Sequence, residues 1–357
     1  MVIPTNRLPN RYRSSFLNDS ADVRPKVLPI AFLLIGSTGV ATSAAAQEQE
    51  VVVYSSRSHY GAESVFENFT KATGIKVRFF NGNNNEVIDR LTAEGERTEA
   101  DVLLTVDAGN LWLAASRNLL QPTTSETLTK NIPAHLRDPQ NRWFAIAVRA
   151  RTIMYSTARV KPSELSTYEA LGDPKWKGRL CLRSSTAVYN QSLLASFIRI
   201  HGEPKVETMV RAWIANEPVM INGDTQILEA IAAGRCDVGI TNSYYLGRLL
   251  NTKPDVKVRP FWADQQGNGT HVNISGGGVT RHAKRRANAV RLLEYLSTPE
   301  AQLALSSASF EYPANPAVSP HRILSEWGTF KPQTIGVSAA GEFQAAAVKL
   351  ADRAGYR

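Results

Sequence analysis

Short apolar strands alternating with helices of about ten to fifteen residues constrain this chain more than any other feature. Val51–Tyr54 is a buried strand closed by the polar run SSRSHYGAE, and Ala62–Lys71 follows with Val65, Phe66 and Phe69 at helical spacing. Ile75–Phe80 is the next strand, Asn81–Asn85 a turn, Val87–Gly95 a helix and Asp101–Val106 a third strand. Strands alternating with such helices imply parallel βαβ units, so the fold class is α/β. At 357 residues the chain has room for two such units.

The same grammar returns later. Trp143–Val148 and Thr152–Tyr155 read as two strands around a basic turn, Arg149–Arg151. In RSSTAVYNQS, Ser184 or Ser185 is positioned to cap a helix through Ser192–His201. Ile227–Ala233 is helical, CDVGI is a strand, and Leu246–Leu250 begins a helix. Leu165–Trp176 is a short helix with a turn, EYPANP (311–316) a proline-rich loop, and the tail from Ala339 an alanine-rich helix. Tyr244 and Tyr245 therefore sit at a strand-to-helix junction. Open α/β sheets receive ligands there, outside the carboxyl ends of the strands. Tyr60 and Tyr189, with His59 and Arg149, occupy comparable places. For an isolated Tyr-Tyr pair the plainer account is one ring in the core and one reaching water.

The first 46 residues stand apart. Residues 1–26 are polar, with Arg7, Arg11, Arg13, Arg24 and Lys26, and Val27–Ala46 is apolar and then small. Ala44-Ala45-Ala46 has the form that signal peptidase cuts, which predicts an exported chain cleaved near Ala46. Pro29, Gly36 and Gly39 make the stretch a poor membrane anchor. Losing five basic and two acidic groups with residues 1–46 would lower the net charge from +9 to +6. The remaining charges are scattered except in RHAKRR (281–286), which reads as a solvated helix start, and no zinc-finger or aromatic RNA-binding motif occurs. Nucleic acid is excluded on that basis. In an exported chain the two cysteines, Cys181 and Cys236, favour a disulfide over buried free thiols, with a chain-entropy contribution of about 4 kcal/mol.

The segment order resembles the periplasmic ferric-iron-binding proteins of ABC transporters, the FbpA/FutA-like group. The likeness spans residues 50–357 and rests on VYSSR, TGIKV, ADVLLTVDAGNLW, VRART, PKWKGR, VYNQS, TNSYYLGR, ISGGGV and EYPANP. It implies two α/β lobes joined by crossing hinge strands, with iron in the cleft between them. One lobe would comprise residues 47–148 and 272–322, the other 149–271 and 323–357. It further implies an inner-membrane ABC permease as partner, a monomer, and no enzymatic activity.

Fe³⁺ is a hard cation that prefers anionic oxygen ligands, and it displaces the phenol proton. By resemblance, Tyr244 and Tyr245 match the paired ligands, and Tyr189 matches the third tyrosine of the tyrosine-rich subgroup. Val106 stands where the phosphate-dependent subgroup has a glutamate ligand, so neither that ligand nor phosphate is expected; Asp107, next to it, is a weak substitute. Arg149 matches a cleft arginine able to offset phenolate charge or hold carbonate. Arg248, one turn beyond the tyrosine pair, is a second candidate anion partner. The first ligand segment departs from the usual YSSRHY by the inserted Ser58. Counting from Tyr54 puts Ser58 and His59 in the ligand places; counting back from the His-Tyr pair puts His59 and Tyr60 there. The rival in the same class is a binding protein for a polyamine, thiamine or a phosphonate. No nucleophile–base pair, phosphate loop or HExxH supports an enzyme.

Overall fold

The computed structural model describes residues 49–57 and 63–357. The signal-peptide segment, the cleavage position near Ala46, and both His59 and Tyr60 lie outside the described residues.

Strands β1 (Glu50–Ser55), β2 (Lys76–Asn81) and β3 (Val102–Val106) are parallel, with β1 in the middle. Helices α1 (Glu63–Thr73), α2 (Asn84–Glu94) and α3 (Ala108–Ser116) follow them in turn. The asparagine run at 81–85 is less a turn than a helix start: Asn83 caps α2 in a reciprocal box with Glu86. After a short helix, α4 (Glu126–Asn131), comes β4 (Phe144–Ser156). The second unit holds β5 (Leu180–Leu182), α5 (Val188–His201), α6 (Glu203–Ala215) and β6 (Val219–Met220). It continues through α7 (Asp224–Ala232), β7 (Val238–Asn242), α8 (Ser243–Thr252) and β8 (Val258–Phe261). Strand β9 (Val272–Val279) then precedes α9 (Arg286–Leu296), α10 (Pro299–Ser309), α11 (Arg322–Ser325), α12 (Ala339–Glu342) and α13 (Gln344–Arg353).

The strand order is β2-β1-β3-β9-β4-β7-β5-β6, with β8 also on β4. Strand β4 is the shared member. Its residues 144–150 pair antiparallel with β9, and residues 151–156 pair with β7 and β8. The predicted break at Arg149–Arg151 is absent. The strand runs through it, because each buried guanidinium faces a buried carboxylate, Glu311 for Arg149 and Asp224 for Arg151, so no charge has to turn out to solvent. Three apolar clusters pack on the sheet: Val51–Val148, β9, α9 and α10 supply most of the first, Ile153, Leu180, α5, α6 and the α13 side chains Ala347, Leu350 and Ala351 the second, and Met154, α7, α8 and the two cysteines the third.

Glycines in β9 allow close packing against the start of β4. A Cβ on Gly278 would stand 2.2 Å from the Arg142 carbonyl oxygen, and one on Gly276 2.6 Å from that of Phe144. Two further expectations are corrected. Arg285, within the stretch read as solvated, is buried against Asp101 (3.0 Å) and Glu50 (2.7 Å). Helix α5 starts at Val188 with Ala187 as its cap residue and no side-chain cap, so neither Ser184 nor Ser185 does that job. Cys181 and Cys236 are joined as a disulfide, with Cα atoms 5.8 Å apart.

Candidate metal centre

Strands β5 and β7 are parallel neighbours, Leu180 opposite Val238, so their carboxyl ends open on the same edge of the sheet. Helix α8 begins directly at the end of β7, and α5 begins six residues after β5. Tyr189 is the second residue of α5; Tyr244 and Tyr245 are the second and third of α8. The three phenols are thus delivered by two helix N-termini, whose unpaired N–H groups favour negative charge.

The rings converge. Tyr244 is buried and its hydroxyl donates to that of Tyr189 at 3.4 Å. The Tyr244 and Tyr245 rings lie 4.3 Å apart between centroids, with Tyr245 half-buried. Guanidiniums surround them. Arg248 lies 4.9 Å from the Tyr244 ring centre, and Arg149 and Arg183 each lie 5.7 Å from that of Tyr189. Among the described residues no group of three His, Cys, Asp or Glu is placed to hold a metal. The oxygens that gather at this edge are those of the phenols.

Arg149 is 1% exposed. Its Nη1 donates to Ser275 Oγ (3.0 Å) and faces Glu311 Oε1 at 3.5 Å, while Nε and Nη2 have no hydrogen-bond partner among the described residues. Burial disfavours its charge, but Glu311, the two tyrosines Tyr189 and Tyr244, and Asp107 outweigh burial and hold it firmly protonated. Glu311 is buried as well; burial would raise its pKa, and Arg57 (2.7 Å), Arg149 and Arg248 reverse that and keep it ionised. Asp107, at φ 82°, caps α3 and accepts from Ser192 Oγ (2.7 Å) and Asn273 Nδ2 (2.8 Å). Burial pushes its carboxyl pKa up. Its oxygens are engaged in joining α3 to α5, not offered to a cation. Glu311, Arg57 and Arg183 were not picked out from the sequence. The motif EYPANP held the signal for Glu311, but a carboxylate in a proline-rich loop reads as solvent-facing until Arg57, more than 250 residues away, is brought onto it.

A mixed α/β sheet with phenols gathered at the carboxyl ends of two of its strands is the build of a solute-binding protein. The chain belongs to the bacterial extracellular solute-binding protein family, whose model matches residues 64–332. It is 40% identical over 320 residues to iron uptake protein A1 of Synechocystis, covering 87% of this chain and 88% of that protein. It resembles the solved structure of Trichodesmium IdiA (FutA) in complex with iron and citrate ligands. That likeness has a TM-score of 0.83 at 44% identity and covers 86% of this chain and 100% of the other. The apo ferric ion-binding protein A of Pasteurella haemolytica matches at TM-score 0.80 and 38% identity, over 86% of this chain and 98% of that one.

Proposed function

We propose that this protein binds Fe³⁺ in the periplasm and delivers it to an inner-membrane ABC permease, acting as a monomeric carrier and not as an enzyme. The observation that carries this reading is the meeting of Tyr189, Tyr244 and Tyr245, with two hydroxyls 3.4 Å apart, beside a buried arginine that retains unused N–H groups. Three phenolates neutralise Fe³⁺, and each anionic bond gains more with Fe³⁺ than with Fe²⁺. Bound iron would displace the phenol protons and draw the oxygens apart around it. His59, Tyr60 or both, from the segment after β1, would complete the shell. The free edge of Arg149 suits a small planar anion such as carbonate, with Arg248 offsetting phenolate charge.

Residues 47–148 with 272–322, and 149–271 with 323–357, would form the two lobes. They would close over iron by bending where β4 and β9 cross. Export with cleavage near Ala46 accords with the disulfide, which persists in oxidising compartments. The names of the relatives, iron uptake protein and ferric ion-binding protein, point the same way.

The test is titration with ferric citrate, followed by the visible phenolate-to-iron absorption. Wild-type protein should colour and bleach with a chelator or reductant. The double variant Tyr244→Phe/Tyr245→Phe keeps both rings and their packing, so it should fold normally and lose iron affinity by orders of magnitude. Wild-type affinity in that variant would reject the phenolate site.

A further inference from the structure

We infer that Arg151, working through Asn190, Asn242 and the distant Tyr356, is the positioning residue that sets the spacing of the two tyrosine-bearing helices. The inference rests on the phenolate reading above.

Arg151 is 1% exposed and lies two residues beyond Arg149 on β4, hence on the same sheet face. Its guanidinium touches both helix starts. Nε and Nη2 donate to Asn190 Oδ1 at 3.0 and 2.7 Å, and Nη1 donates to Asn242 Oδ1 at 3.2 Å. Asn190 adjoins Tyr189, and Asn242 is the cap residue two before Tyr244. Nη1 also binds Asp224 Oδ2 at 2.8 Å, and that same oxygen accepts from the Asn242 backbone N–H at 3.2 Å. One buried fork therefore fixes the α5 start to the α8 start.

The amide of Asn190 is used on its other side too. Its Nδ2 donates to the Arg183 and Ser184 carbonyls (2.8 and 2.9 Å) and to the Tyr356 hydroxyl (2.8 Å). Tyr356 Oη donates in turn to the Arg183 carbonyl at 2.6 Å. Tyr356 is 2% exposed and comes from a segment 166 residues away in the chain. A lysine can replace the charge of Arg151 but not a planar fork with three acceptors in fixed directions. Two helix N-termini carrying ligands would separate or rotate without it, whereas the core beneath them, built from Leu193, Leu194 and Phe197, does not depend on it.

The experiment compares wild type, Arg151→Lys, Tyr356→Phe and Tyr245→Phe for ferric affinity. It also compares the position and intensity of the phenolate-to-iron band at saturating ferric citrate. Residues that support metal ligands typically alter affinity by about 10–100-fold. Arg151→Lys is expected to weaken binding at least tenfold and to shift or dim the band. Tyr356→Phe should do the same more mildly, with cooperative unfolding retained. The band is the deciding readout, because a lost structural bond alone would lower the melting temperature and leave the iron spectrum intact. Folded Arg151→Lys with the wild-type band overturns the proposal. If Arg151→Lys does not fold, Tyr356→Phe decides by the same criterion. A band unchanged also in Tyr245→Phe would instead overturn the phenolate reading.

Discussion

At the scale of residues, the proposed iron site predicts distinct pH behaviour for His59 and Tyr60 as ligands. Phenolate and imidazole ligands part by their protons. If several phenolates hold iron, they must regain protons before it leaves, so affinity should fall with pH by more than one proton per iron. A histidine ligand adds a step around pH 6–7. Ferric binding measured from pH 5 to 8 in His59→Gln and Tyr60→Phe separates the two. If His59 ligates, its variant loses affinity and part of the pH dependence above pH 5. If Tyr60 ligates, its variant loses the absorption of one phenolate and about one released proton. Identical curves for both variants and wild type would leave a three-tyrosine site. That Tyr189, Tyr244 and Tyr245 come together was legible from sequence because each sits in a short motif that follows a strand. Arg151 and Glu311 were not. Their partners, Asp224 and Asn190 for one and Arg57 for the other, are far apart in the chain, and only the folded sheet brings them onto the same face.

Among the elements, the parallel strands and their helices were readable from hydrophobic spacing, and β4 was not. An arginine pair inside an apolar run reads as an interruption when burial of charge is expected to be costly. Here Asp224, Asn190, Ser275 and Glu311 supply the missing partners, so the strand continues. The disulfide was readable from cysteine parity. It joins β5 to the residue two before β7, with the bonded pair packed in the same apolar cluster as Tyr244. Replacing both cysteines by serine should lower the unfolding free energy by about 2–4 kcal/mol, measured by urea denaturation in the absence of iron. An unchanged midpoint and slope would show that the crosslink adds nothing to stability. If Arg151 holds the two tyrosine-bearing helix starts as inferred above, iron affinity should suffer less than stability does.

For the molecule as a whole, acid should act on the fold as well as on the cargo. His271 precedes β9, is fully buried, and pairs Nδ1 with Gln333 at 3.2 Å; its carbonyl accepts from the Arg151 N–H at 3.0 Å. Burial, with Arg149 and Arg151 nearby, lowers its pKa to about 3, while the Gln333 contact opposes the shift weakly. The unfolded chain, near 6.5, then takes up this proton first as pH falls. The contribution is fully present above about pH 6.5 and is lost progressively toward pH 3. His271→Gln should therefore narrow the difference in melting temperature between pH 7 and pH 4.5, read by calorimetry on iron-free protein. A difference as wide as in wild type would place the acid sensitivity elsewhere.

Strand β4 carries a mechanical consequence. The peptide between Ala150 and Arg151 leaves one sheet and enters the other, and it is tied on both sides, with Ala150 N–H donating to Ser243 Oγ at 3.2 Å and Arg151 N–H to the His271 carbonyl. Ser243 immediately precedes Tyr244. A joint made of paired backbone deep in the molecule has no slack, so it behaves as a torsion bar and not as a loose tether. Any twist of one sheet against the other would wind these few amides together with the helix start that carries Tyr244 and Tyr245, so the elastic restoring torque would be felt directly at the phenols.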